Sequence, residues 1–225
     1  MTTGDRDRTA ASGREATAGR ATVTALLAAC AGVVDVWAVV ALGGAFAGVV
    51  TGNLVTGAHA LVAGGWGELL PPAVAVAGFA AGAVAWSSAR RRWPHAIGWP
   101  LAAELLVLTA SAVVWALAGD RAGVRTALLV AAAFAMGGQS SISLRLGPSS
   151  TYMTGTLTGA LADLAAGAGR RWSAWRQLGG IVAGALAGGV LLVYLPAAVP
   201  VLATVLLGVA LGVHLLDARP RSAPG

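Results

Sequence analysis

The chain has 225 residues, of which 57% are hydrophobic and 11% are charged, and its mean hydropathy is +0.76. Soluble domains carry about 25% charged residues, so this composition excludes a large soluble domain and indicates one membrane domain. The formal net charge is +6 and every basic residue is arginine. The arginines cluster between apolar runs, as in loops held on the cytoplasmic side of a membrane, so we expect no binding to nucleic acid.

Polar segments flank the apolar part of the chain. Residues 1–21 mix charged residues with Thr, Ser, Gly and Ala and show no apolar periodicity, which predicts a disordered cytoplasmic tail. The apolar run from Val23 is too long for a signal peptide, so the first span is expected to be retained. The membrane domain is therefore predicted at 22–217, with a second short cytoplasmic tail at 218–225.

Six long apolar runs predict six membrane-spanning helices, because about 20 helical residues cross a hydrocarbon core of about 30 Å. Two further apolar pieces are too short to span, since about 12 helical residues rise only about 18 Å, and each is predicted to be a re-entrant half-helix. The expected fold class is an all-α, polytopic membrane protein. The long runs are 23–46, 71–89, 97–118, 123–144, 178–195 and 197–216, and the short pieces are 53–64 and 156–168.

The distribution of arginine favours six spans over eight. With six spans, the arginine clusters at 90–92 and 170–176 and the arginines of both tails lie on one side, which the positive-inside rule assigns to the cytoplasm. If the two short pieces also crossed the membrane, the arginine cluster at 90–92 would lie on the outer side. We therefore expect both termini in the cytoplasm, with Arg121 and Arg125 beside Asp120 as a small exception. The composition is rich in alanine, glycine and arginine, which suggests a GC-rich bacterial genome and thus a bacterial inner membrane.

The chain also shows an internal repeat. Thr51-Gly52-Asn53-Leu54 matches Thr154-Gly155-Thr156-Leu157 at an offset of 103, and an offset of 104 pairs Asp35 with Gln139. The halves, 22–118 and 122–217, hold three spans each, so the second enters the membrane from the opposite side. Such inverted repeats recur in channels and secondary transporters. Chance matches in a sequence rich in Ala, Gly and Leu are the alternative.

The two TG motifs predict a binding site near the membrane midplane. Each motif would begin a short helix, with the second reached through Pro148, and two facing helix N-termini offer unpaired N–H donors and positive dipole ends. A small polar or anionic solute suits such a site. In the first half, Thr51 or Asn53 is expected to cap the short helix. Alternatively, each motif only caps a helix at an ordinary loop and binds no ligand. The candidate binding residues are Asp35, Thr51, Gly52, Asn53, Gln139, Thr154, Gly155 and Thr156.

Several ionisable residues lie within the apolar runs, where a charged side chain is energetically costly. Asp35 lies near the middle of the first predicted span, where an ionised carboxylate costs at least about 2.5 kcal/mol on insertion scales. It should face the interior, where it binds a solute, carries a proton or ties helices together. Glu104, Asp163 and His59 are each expected to reach an interface with the polar end of the side chain.

Glycines spaced four apart predict flat faces for close helix packing, through which copies of the chain could also associate. They are Gly78 and Gly82; Gly180, Gly184 and Gly188; and Gly208 and Gly212. Signatures of zinc hydrolases, α/β-hydrolases and P-loop enzymes are absent. The sole cysteine, Cys30, lies in an apolar run. We therefore expect no enzyme, no cofactor and no metal.

Several motifs resemble one known family. Gly32-Val33-Val34-Asp35, Leu42-Gly43-Gly44, Thr51-Gly52-Asn53-Leu54, Ala135-Met136-Gly137-Gly138-Gln139 and Thr151-Tyr152-Met153-Thr154-Gly155-Thr156-Leu157 are similar to those of the YoaK-like family of bacterial multi-pass membrane proteins, a domain of unknown function. The resemblance spans nearly the whole chain and implies a membrane location. The chain departs from the family pattern at Ser140 and at Thr158-Gly159.

The predicted function is a channel or transporter for a small solute. The alternative is a non-transporting scaffold or regulatory subunit whose glycine faces recruit another membrane protein. A polar cavity that reaches the TG motifs would favour the first interpretation, whereas a dry, packed centre would favour the second.

Overall fold

The computed structural model describes residues 3–93, 97–119, 121–146, 153–167 and 172–218. Within these ranges all regular structure is helical, which confirms the all-α prediction. The elements are α1 (Thr3–Trp37), a π-helical continuation of α1 (Ala38–Gly43), α2 (Val50–Val62), α3 (Trp66–Arg92), α4 (Gly98–Ala118), α5 (Ala122–Leu146), α6 (Met153–Ala165), α7 (Trp172–Tyr194), a 3-10 turn (Pro196–Ala198) and α8 (Val199–Asp217).

Six helical segments are long and apolar enough to cross a membrane, and each overlaps one of the six predicted runs. Helices α2 and α6 have 13 residues each, or about 20 Å, and they coincide with the two short apolar pieces. Exposed apolar side chains such as Leu186, Val190 and Val205 cover the outside of the bundle, where they would contact lipid. The spanning segments are Ala18–Gly43, Trp66–Ala89, Gly98–Ala118, Ala122–Leu144, Trp172–Tyr194 and Pro196–Asp217.

The first helix is longer than its apolar part. Helix α1 begins at Thr3, whereas the sequence predicts disorder through residue 21, and the candidate span begins at Ala18. The difference has a physical reason. The segment contains no proline and is rich in Ala and Arg, which have high helix propensity, and a helix that continues an existing one avoids the cost of nucleation. Residues 1–2 of the first tail and residues 219–225 of the second lie outside the described residues.

The helices of the two halves interleave. Helix α1 packs most extensively on α7 and α8, and α5 packs on α3 and α4, while α4 also contacts α8. The short helix α2 lies on α3, and α6 lies on α7. The spans of α1 and α5 are the most buried of the six, so they form the centre of the bundle. Their apolar core includes Leu27, Val33, Val34, Trp37, Leu129, Ala132 and Met136.

Glycine allows α1 and α7 to pack backbone against backbone. A Cβ at Gly180 would lie 2.6 Å from the carbonyl oxygen of Ala25, and a Cβ at Gly184 would overlap the carbonyl of Ala29. Because positions rise together along both chains, α1 and α7 run parallel. The prediction of a close-packed glycine face is confirmed for this helix.

Helices α3 and α5 pack in the same way. A Cβ at Gly78 would lie 2.9 Å from the carbonyl oxygen of Val130, and a Cβ at Gly82 would overlap the carbonyl of Phe134. The third predicted face differs. Nothing lies within 4 Å of a Cβ at Gly212, and the nearest atom to one at Gly208 is 3.9 Å away. Spacing alone does not make a packing face, because the partner helix must also approach.

The glycine contacts of the two helix pairs give another offset between α1 and α5. Gly180 of α7 packs on Ala25 of α1, and Gly78 of α3 packs on Val130 of α5. The two contacted residues, Ala25 and Val130, are 105 positions apart. At that offset Asp35 aligns with Ser140, whereas the offset of 104 pairs Asp35 with Gln139. The TG motifs match at an offset of 103.

Candidate functional site

The chain reverses direction directly after α1. The N–H of Gly48 donates a hydrogen bond to Oδ1 of Asp35 at 2.7 Å, although Asp35 lies eight residues before the end of the helical segment at Gly43. The chain therefore returns by about 12 Å along the helix axis. Gly43 and Gly44 have φ values of 139° and 84°, and glycine adopts this region at little cost.

Asn53 clamps the returning segment. Its Nδ2 donates to the carbonyl oxygen of Phe46 at 2.6 Å, and the N–H of Phe46 donates to its Oδ1 at 2.9 Å. Only 2% of the side chain is exposed. Helix α2 begins at Val50, and its N-cap residue, Val49, makes no side-chain cap. The prediction that Thr51 or Asn53 caps this helix is therefore wrong, because both already lie inside its first turn.

Two adjoining cavities lie where the first turns of α2 and α6 meet. The inner one has a volume of about 140 Å³ and is bordered by Asp35 and Gln139, and the outer one has about 280 Å³ and is bordered by Phe79 and Ser140. We call the two together the junction cavity. Four residues line both parts, namely Gly48, Val49, Thr51 and Thr154.

The junction cavity brings together five of the eight predicted site residues. They are Asp35, Thr51, Gln139, Thr154 and Gly155. Among the residues the structure describes, the other three are not part of this lining. Gly52 faces the ring of Phe46, from which a Cβ would lie 3.4 Å, and Asn53 is occupied by the backbone. Thr156 is half-buried in the first turn of α6.

Gln139 joins the two central helices. Its Nε2 donates to the carbonyl oxygen of Leu27 in α1 at 2.8 Å, and only 2% of the side chain is exposed. Its Oε1 is buried and has no hydrogen-bond partner among the described residues. The Nε2 of Gln139 therefore links α5 to α1, while its Oε1 could accept a hydrogen bond beside the inner cavity.

The electrostatics of the cavity come from one acid and two helix ends. Asp35 is the only ionisable residue among the described residues that line it. The N-termini of α2 and α6 add N–H donors with positive partial charge. No group of three or more His, Cys, Asp and Glu that could hold a metal occurs within the described ranges. The site offers hydrogen-bond donors and acceptors around a small volume.

Glu104 is a buried acid whose position the sequence analysis did not predict. Its side chain is fully buried, so the expectation that it reaches an interface is wrong, whereas His59 is exposed and Asp163 is half-buried. The burial follows from the packing of α4, whose inward face also carries Leu101 and Leu108. These positions lie three before and four after Glu104, and this helical spacing is the signal that could have revealed it.

The chain is an integral, multi-pass membrane protein, as its six apolar spans around a buried helix pair indicate. A sequence model of the family described as proteins of unknown function, DUF1275, matches residues 23–213. The match covers most of the chain, and the protein belongs to this family. No curated protein and no solved structure matched the sequence.

Proposed function

We propose that the protein is a channel or transporter of the bacterial inner membrane that moves a small polar solute through the junction cavity. One observation carries this proposal. The first turns of α2 and α6, which are 103 residues apart in the sequence, border one cavity together with Asp35 and Gln139. Polar backbone inside a membrane is tolerated where it lines a wet cavity. The proposal includes no catalytic role and no cofactor.

Two features support α2 and α6 as re-entrant half-helices. Each has 13 residues, fewer than a membrane crossing requires. The hydrogen bond between Asp35 and Gly48 also returns the chain to a level within the first span. A short helix that starts inside the membrane and runs outward fits both features.

The packing pattern supports inverted repeats. The contacts of α1 with α7 and α8 have counterparts in those of α5 with α3 and α4, and the contact of α2 with α3 has one in that of α6 with α7. Two spans, α3 and α4, lie between α1 and α5, so the two counterparts cross the membrane in opposite directions. Interleaved inverted repeats with broken helices are a common transporter architecture.

The lining favours a neutral polar solute over an anion. Helix N-termini attract anions, but Asp35 places a carboxyl group at the same cavity and no described lining residue carries a positive charge. The inner part, at about 140 Å³, is close to a cavity of about 150 Å³ that holds benzene. A solute of about six non-hydrogen atoms fits it.

An uptake screen in proteoliposomes tests this function. Small polyols, amides, amines and carboxylates are offered, and flux is compared among wild type, Thr51→Trp and Thr56→Trp. Thr51 borders both parts of the cavity, so tryptophan there should block any solute that passes. Thr56 is exposed on the same helix and is not among the described lining residues, so Thr56→Trp should transport normally.

One observation favours the scaffold alternative. Asp35 and Asn53 both bind backbone atoms of the linker, which is the behaviour of residues that hold a structure together. If no solute enters wild-type vesicles faster than empty vesicles, or if Thr51→Trp leaves the flux unchanged, the scaffold interpretation replaces the transport proposal.

A further inference from the structure

Glu104 occupies an interior position that the junction cavity does not explain. The side chain is 0% exposed, and neither Oε1 nor Oε2 has a hydrogen-bond partner within the described ranges. Contacts of α4 at and next to Glu104 identify α8 and α1 as its neighbours. Leu105 lies beside Gly208 of α8, and the carboxyl group of Glu104 lies near Cys30 of α1.

Among the side chains that the structure describes, none is a counter-ion of this carboxyl group. The thiol of Cys30 donates to the carbonyl oxygen of Ala203 at 3.5 Å, so that bond goes to α8. On α5, Arg125 bonds the carbonyl oxygen of Gly119 at the far end of α4. On α8, the ionisable residues among the described side chains are His214 and Asp217, and His214 lies six residues, or about 9 Å, beyond the level of Gly208.

An ionised carboxylate without a partner is costly in such a place. Removing a carboxylate from water without compensation is so unfavourable that the group takes up a proton instead. The neutral acid still leaves polar atoms unsatisfied, but at a far smaller cost. Polar residues inside membrane segments that face the bundle interior often mark proton pathways.

We propose that Glu104 is a proton-binding site, in which α1, α4 and α8 enclose a neutral carboxylic acid. The proton is released only when α4 separates from α1 and α8 far enough to admit water. This inference is independent of the transport proposal, because Glu104 is not among the described residues of the junction cavity. It assigns the proton as the ligand of a second site.

Infrared spectroscopy of the protein in lipid at neutral pH tests the proposal. The C=O stretch of a protonated carboxylic acid is separate from the bands of a carboxylate, and it should disappear in Glu104→Gln. Glu68→Gln is the matched control, because Glu68 is exposed and should be ionised, so that variant should keep the band. Identical spectra of wild type and Glu104→Gln in this region would overturn the proposal.

A second measurement does not depend on the folding of a variant. Wild-type protein labelled with 13C at the glutamate carboxyls should show the same band at lower frequency, and a band that does not move would belong to another residue and contradict the proposal. After transfer to D2O the band should shift slowly, because exchange requires the helices to open. An immediate shift would show that water already reaches Glu104 and would overturn the enclosed site.

Discussion

Two polar side chains determine the path of the chain between α1 and α2. Asn53 binds both backbone groups of Phe46, and Asp35 accepts a hydrogen bond from Gly48. Buried backbone groups need partners, and a non-helical segment in a membrane has few available. The two side chains satisfy these groups and so hold the mouth of the junction cavity in place.

Replacing Asn53 with leucine should destabilise the protein. The change removes both bonds to Phe46 and leaves a partly buried N–H and C=O without partners, which costs up to about 1–3 kcal/mol per group. Thermal unfolding in detergent should show a lower melting temperature. Thr56→Val serves as the control, because the Thr56 hydroxyl bonds only to the backbone of its own helix. Equal melting temperatures for both variants would contradict the clamp.

Variants of Asp35 separate its structural role from a transport role. Asp35→Asn keeps an oxygen that can accept from Gly48, so folding should survive, whereas Asp35→Leu leaves the N–H of Gly48 unpaired and should cost about 1–3 kcal/mol. If Asp35 also takes part in transport, Asp35→Asn should lower the flux or remove its pH dependence. A normal flux with normal pH dependence in Asp35→Asn would confine Asp35 to the structural role.

At the scale of helices, hydrophobic length predicted most of the fold. A membrane requires long apolar helices, so the six spans and two short helices follow from the sequence within a few residues at most ends. Helix α3 shows where this reasoning fell short. It begins at Trp66 and contains Pro71 and Pro72, although the apolar run indicated a start at 71. Pro71 and Pro72 are the sixth and seventh residues of the helix, so each lacks an N–H that would otherwise bond to a carbonyl oxygen of the first turn.

Gly184→Ala should weaken the contact between α1 and α7. Its added Cβ overlaps the carbonyl of Ala29, and overpacking of this kind costs about 1–3 kcal/mol. Gly189→Ala on the same helix is the matched control, since nothing lies within 4 Å of a Cβ there. The first variant should melt at a lower temperature than the second in detergent. Equal melting temperatures for the two variants would contradict the close contact between α1 and α7.

The candidate site was predicted less completely than the helices. The short apolar pieces revealed both short helices, because a break in a hydrophobic pattern is visible in a sequence. The TG motifs indicated three lining residues, Thr51, Thr154 and Gly155, and the polar residues Asp35 and Gln139 of the spans were the other two. The partners of Asn53 were not visible, since Phe46 contributes only backbone atoms to the clamp. The burial of Glu104 was also missed, because a carboxyl near the end of an apolar run can equally reach an interface.

At the scale of the whole molecule, the interleaved halves imply opposite orientations for the starts of α3 and α7. In a Cys30→Ser background, Gly67→Cys should react with an impermeant thiol reagent from outside, and Ser173→Cys only from inside. Both positions are exposed, and the background lacks Cys30, the sole cysteine of the sequence, so background labelling should be low. Labelling of both cysteines from the same side would contradict the inverted-repeat proposal.

The central claim is that a polar solute passes through the junction cavity, and one measurement tests it within a single sample. In a Cys30→Ser background, solute flux through Thr154→Cys vesicles is recorded before and after reaction with a small, water-soluble thiol reagent. Thr158→Cys is the control, because Thr158 is exposed one turn further along α6 and is not among the described lining residues. We expect modification to stop the flux at position 154 and to leave it unchanged at position 158. Flux that continues through fully modified Thr154→Cys protein would contradict the account.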